Sequence, residues 1–110
     1  MSKEVKESTR MTKGELREKI LSASLVISNR DGFAALTRDG IAAEAKIAKG
    51  QIHHAFGTMK QLRNAVMRAA VHNECLSIIA HGLAIGHVQA HKAPEWLQEK
   101  AALSTLRKEG

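Results

Sequence analysis

Apolar residues along this chain recur three and four apart and nowhere alternate with polar ones over a strand-length stretch, so the pattern reads as all-α. Thr12 and Glu15 have the spacing of a capping box and open a first helix. Its inner face is Ile20, Leu21, Ser24, Ile27 and Ser28, and Gly32 supplies its stop. Phe33 and Leu36 lead to Thr37, placed as the N-cap of a second helix that begins near Arg38 and turns Ile41, Ala42 and Ala45 to one side. The pattern breaks at Lys46-Ile47-Ala48. It resumes with Ile52 and Phe56, four apart, on a third helix of about two turns. After a break at Gly57-Thr58, Thr58 caps a long fourth helix with the stripe Leu62, Val66, Ala69, Asn73, Leu76, Ile79 and Leu83, expected to run to about Gly82 or Gly86. Pro94 suits a first turn and opens a short fifth helix through Trp96, Leu97, Ala101, Leu103 and Leu106. The expected organisation is a flexible arm over residues 1–11, a helical head over 12–60 and a short helical region over 61–110.

Between the anchors of the third helix, Lys49, Gln51, His53 and His54 point elsewhere, and all four can donate to phosphates or to base edges in a major groove. The same pattern also describes an ordinary helical hairpin with a solvated face. Charge tilts the choice: 17 Lys plus Arg stand against 11 Asp plus Glu, a formal net charge of +6, which favours a polyanionic partner. Aromatics are few, namely Phe33, Phe56 and Trp96, with no Tyr. Platforms that stack single-stranded bases, and RNA-binding sheets built on aromatics, are therefore poorly supported. Double-stranded DNA read by a helix remains.

At 110 residues, 44% of them hydrophobic, the chain holds one compact domain and little beyond it. A single cysteine, Cys75, rules out an internal disulfide framework and reads as a small buried hydrophobe on a helix. The start MSKEVKESTR lacks the apolar core of a signal peptide, and no stretch approaches the roughly 20 apolar residues that span a bilayer. A cytoplasmic location is expected.

The stretch from Arg17 to Val66 resembles the N-terminal DNA-binding domain of TetR-family transcriptional repressors and aligns with it without gaps. The resemblance is carried by REKIL (Arg17 to Leu21), Gly32-Phe33, Thr37 followed by Ile41-Ala42, Lys49-Gly50, and His54 with Phe56 before Leu62. It implies a three-helix head whose third helix enters the major groove, a fourth helix leading to a dimerising body, and a palindromic operator. Carried over residue by residue, it puts Lys49, Gln51, His53 and His54 on the recognition helix and Thr37 and Arg38 at the start of helix two. Lys60 falls one position after a phosphate-contacting lysine common in the family.

Five departures from the family pattern stand out. Lys46 replaces the glycine of the turn, where a left-handed residue other than glycine costs about 1 to 2 kcal/mol. Ala48 replaces a Ser or Thr cap worth roughly 0.5 to 2 kcal/mol. His53 and Ala55 replace customary tyrosines, and Gly57 replaces a common proline. Lys46 reads either as a solvated lysine or as a cation beside the DNA backbone.

Family members continue well past the head, whereas about 45 residues follow Val66 here. Two helices cannot readily enclose the roughly 300 to 1,000 Å³ of a small-molecule site, so no effector pocket is expected. The run HHAFGTMKQLRNAVMRAA is similar to short plasmid-borne repressors of the kor type, which share this brevity. Leu76, Ile79, Leu83, Leu97 and Leu106 exceed what one long and one short helix hide, and a twofold dimer with a four-helix bundle would cover them. Arg63 and Arg68 read as exposed, while Asn73 is either exposed or a polar residue fixing register across the dimer. His87 and His91, four apart with His72 and His81 nearby, lack a completing cysteine or carboxylate, so no metal and no cofactor are expected. Cys75 with a histidine has no oxyanion site beside it, and the glycines lack phosphate-loop spacing, so an enzyme is not expected. The resulting expectation is a repressor that blocks a promoter sterically. Thr37, Lys49, Lys60 and Lys46 would hold phosphates, and Gln51 and His53 would read bases. Two alternatives stand beside it: a helical protein-interaction module, or a fragment of a ligand-responsive regulator.

Overall fold

The computed structural model describes residues 11–109, which contain seven α-helices and one 3-10 turn and, among the described residues, no strand. In chain order these are α1 (Lys13–Asp31), a 3-10 turn at Phe33–Ala35, α2 (Arg38–Ala45), α3 (Lys49–Phe56), α4 (Met59–His72), α5 (Leu76–Ala84), the single-turn α6 (Val88–His91) and α7 (Glu95–Glu109). The arm expected over residues 1–11 lies outside the described residues except for Met11, which is half-buried against the core.

Local chemistry starts each helix of the head. The Thr12 hydroxyl accepts from the Glu15 N–H at 3.1 Å, and Glu15 Oε1 accepts from the Thr12 N–H at 3.0 Å, the two halves of the capping box. Thr37 Oγ1 accepts from the Gly40 N–H at 3.0 Å. Thr58 and Gln61 repeat the reciprocal box at the start of α4, at 3.2 and 2.9 Å. The inward faces are those set by the spacing: Ile20, Ile27, Phe33, Leu36, Ile41, Ala42, Ala45, Ile52, Phe56, Leu62 and Val66 are all buried in one cluster. Ser24 joins them by turning its hydroxyl back onto the Ile20 carbonyl at 2.7 Å, which satisfies a polar group in the core.

The long fourth helix is the main correction. It stops at His72 and restarts at Leu76. The Cys75 N–H donates to the Ala70 carbonyl at 2.8 Å and the Glu74 N–H to Val71 at 3.1 Å, the paired bonds of a Schellman reversal with Glu74 left-handed at φ 54°. Asn73 Nδ2 adds a bond to the Ala69 carbonyl at 2.8 Å. Asn73 thus ends the helix. An amide that can satisfy its own last turn competes with further winding, and apolar spacing alone does not register that competition. Cys75 consequently sits at the N-terminus of α5, half-buried, where burial pushes its thiol pKa up.

The same reversal recurs after α5, with Gly86 left-handed at φ 73° and the His87 N–H on the Gly82 carbonyl at 2.8 Å. It folds α6 and α7 back, and α5 packs along α7. Gly82 lets α5 lie close against α6 and α4, because a Cβ there would lie 2.8 Å from Ala90 Cβ and 2.6 Å from Met67 Cε. The fifth helix expected from Pro94 is observed as α7, and α5 occupies the stretch expected as the end of the long fourth helix.

That folding revises the dimerisation set. Ile79 (0% exposed) and Leu97 (2%) are buried within the chain itself, and Leu76 and Leu83 are half-buried against the same core. Of the five residues, only Leu106 is left open, at 63% exposure, and it shares a face of α7 with Trp96 and Leu103, each 55% exposed. Ile85 and Val88, at the α5–α6 corner, are also exposed.

Candidate nucleic-acid interface

α2, the turn at Lys46-Ile47-Ala48 and α3 form two short helices joined by a tight reversal. The Ile47 N–H donates to the Ala42 carbonyl at 3.0 Å and the Lys46 N–H to Ala43 at 3.3 Å. Lys46 sits between these bonds at φ 60° and ψ 48°, in the left-handed well where the alignment placed a strained residue. Its side chain is exposed. Ile52 and Phe56 anchor α3 on the core, so Lys49, Gln51, His53 and His54 all face solvent on its outer side. Lys60, at the start of α4, is exposed too, and Thr37 spends its hydroxyl on the α2 cap.

Two of these groups are already engaged. Lys49 Nζ lies 3.0 Å from Asp39 Oδ1, an exposed pair whose carboxylate a DNA phosphate would have to displace or share. Gln51 supplies the reciprocal half of a capping box: its Oε1 accepts from the Ala48 N–H at 2.9 Å, while the Gln51 N–H, which a hydroxyl at position 48 would accept, bonds the Ala48 carbonyl at 3.0 Å. Its side-chain amide nitrogen has no such tie, so bidentate reading of an adenine would draw on the oxygen that now holds the helix start.

Arg38, expected at the DNA, has a partner within the chain. It is half-buried, with Nη2 3.4 Å from the Gly57 carbonyl and Nε buried without a partner among the described residues. It faces the end of α3 and not open solvent. The cause is the turn after α3, where Gly57 adopts φ 85° and presents its carbonyl. Arg63, expected to be exposed, is half-buried as well and donates to the Leu36 carbonyl at 3.0 Å, whereas Arg68 is exposed as expected.

Arg17 was counted only among the residues carrying the family resemblance. It reaches from α1 to the Ala55 carbonyl at 2.9 Å, and its guanidinium stands 4.2 Å from the centre of the Phe56 ring. Nothing in the spacing marks a contact between residues 38 apart. The one available signal was a cation on α1 in a chain whose third helix ends in an aromatic.

Phe33 joins head and tail. Its ring meets His87 edge-on at 5.5 Å and His81 at 6.3 Å, and Ser77 donates to Asn29 at 3.1 Å beside it. His87 caps α6 by accepting from the Gln89 N–H at Nδ1, 3.1 Å away, and burial lowers its pKa. Among the described residues no group of three or more His, Cys, Asp or Glu is placed to hold a metal ion. An open groove of about 610 Å³ runs between α1 and α4, with Leu21, Leu25 and Val71 in it and Arg68 and His72 at its edge. No described helix is long and apolar enough to cross a membrane.

A core-anchored two-turn helix that follows a tight reversal and presents Lys, Gln and His outward defines a helix-turn-helix DNA-binding head. Residues 20–66 match the family model for bacterial regulatory proteins, tetR family. Over that span the chain is similar to the DNA-binding domain of TetR-family transcriptional regulators. Comparison with curated proteins and with solved structures gave no match.

Proposed function

We propose that this protein is a repressor that binds a palindromic operator as a homodimer and blocks the promoter sterically, with no small-molecule effector. The observation that carries the reading is the outer face of α3: Lys49, Gln51, His53 and His54 are all exposed on a helix held to the core by Ile52 and Phe56. Lys46 and Lys60 flank that face and supply phosphate contacts; Gln51 and His53 read base edges. Trp96, Leu103 and Leu106 on α7 form the apolar face that a second copy covers. Two heads related by a twofold axis then meet half-sites about 34 Å apart, or a multiple of it. The groove between α1 and α4 is open along its length, which suits an enclosed effector poorly.

Selection of bound sequences from random double-stranded DNA, followed by titration of the selected site and of scrambled DNA, tests this. A palindromic consensus and a preference of at least about 10³ over scrambled DNA are expected. Lys49→Ala should weaken both DNAs alike and flatten the salt dependence, while Gln51→Ala should cost about 1 to 3 kcal/mol on the selected site alone. Absence of any selected sequence would overturn the reading and favour a helical module that binds protein.

A further inference from the structure

The two ends of α3 are held very differently. Its start has no side-chain hydroxyl and relies on Gln51, the same residue that the proposed base readout employs. Its far end is gripped from outside. Arg17 of α1 donates to the Ala55 carbonyl at 2.9 Å and covers Phe56 at 4.2 Å, and Arg38 of α2 donates to the Gly57 carbonyl at 3.4 Å. Both guanidiniums address carbonyls at the negative end of the helix dipole, where a cation is stabilising. The turn geometry belongs to this chain's own sequence, because φ 85° at Gly57 is closed to a proline, whose ring fixes φ near −65°. A turn of this shape is not stiffened by its own backbone, and Arg38 braces it.

We propose that Arg17 and Arg38 are positioning residues that clamp the C-terminal end of α3 and set the angle at which the recognition helix meets base edges. This rests on the DNA-binding reading above. The clamp acts on discrimination and not on general affinity, because neither guanidinium is spent on phosphate. A rotation of a two-turn helix about an unheld end moves Gln51 and His53 off their bases while leaving the charge of the surface unchanged.

The test uses Arg17→Lys, Arg17→Met and Arg38→Met in the full chain, with the selected site and scrambled DNA as probes. Arg17→Lys keeps the charge, but a compact ammonium cannot both bond the carbonyl and lie flat over Phe56. The expected result is a loss of about tenfold on the selected site, less than about twofold on scrambled DNA, and an unchanged salt slope. Equal losses on both DNAs with a shallower slope in the Met variants, and none in Arg17→Lys, would make Arg17 a phosphate contact and overturn the clamp. Amide hydrogen exchange without DNA gives a second readout, with residues 52–56 expected to exchange faster in every variant while α1 stays protected. Unchanged exchange there overturns the clamp even if the variants bind DNA poorly. If the wild type selects no sequence, the DNA-binding reading falls while the exchange data still decide whether α3 is clamped.

Discussion

Replacing Lys46 with glycine should make this protein more stable, and the size of the gain follows from one pair of angles. At φ 60° and ψ 48° the Lys46 Cβ crowds its own carbonyl, a conformation that costs an L-residue about 1 to 2 kcal/mol. Glycine removes that cost but gives back about 0.5 to 1 kcal/mol through the greater freedom of the unfolded chain. The net expectation is a stabilisation of roughly 0.5 to 1 kcal/mol, a rise in Tm of about 2 to 8 °C for a domain of this size. Lys46→Ala is the control, since it removes the same exposed side chain yet keeps the Cβ and so should stay within about 0.5 kcal/mol of wild type. Thermal unfolding followed by circular dichroism on the three proteins reads the difference directly. If Lys46→Gly is no more stable than Lys46→Ala, the left-handed turn is not where the strain lies. Both variants also lose a cation, so a phosphate contact at this turn predicts a salt slope lower by about 0.9 per protomer in each.

Ile79→Ala should cost about 2 to 5 kcal/mol of folding stability, since that side chain is fully buried within the chain. Leu106→Ala should stay within about 0.5 kcal/mol at concentrations where the protein is monomeric, and sedimentation should show weakened self-association for it alone. Gly82→Ala should lose roughly 1 to 3 kcal/mol because the added methyl meets Ala90 and Met67; denaturant melts measure it. For His87 the folded pKa lies below the ordinary 6.5, so its contribution is intact above that value and is lost as pH falls through the lowered folded value. Wild type should therefore lose stability on acidification relative to His87→Gln; parallel melting curves across that range would remove His87 from the account.

The head was legible because its signals are local. Thr12, Thr37 and Thr58 announce helix starts through bonds to residues three positions on, and the spacing of Ile41, Ala42, Ala45, Ile52 and Phe56 decides which faces turn inward. The tail was not legible in the same way. Leu76 and Ile79 continue the α4 spacing, so only the competition between Asn73 and the last turn of α4 reveals the break, and that is settled by geometry. With the break missed, Ile79 and Leu97 looked like surface for a partner, when α5 and α7 bury them against each other. Arg63 was misread for a related reason. A cation near a helix start looks solvated until the fold brings a backbone carbonyl within reach, as Leu36 does here.

The reversal at Asn73-Glu74-Cys75 has a mechanical meaning. α4 leaves the DNA-binding head and ends after 14 residues, about 21 Å, so it is a stub and not a shaft. The tail meets the head through α5 and α6 packed on α4, through Ser77 on Asn29 and through the two histidines on Phe33. One buried cluster runs from Leu16 through Val66 and Met67 to Ala101, so head and tail are joined by a shared core and not by a lever.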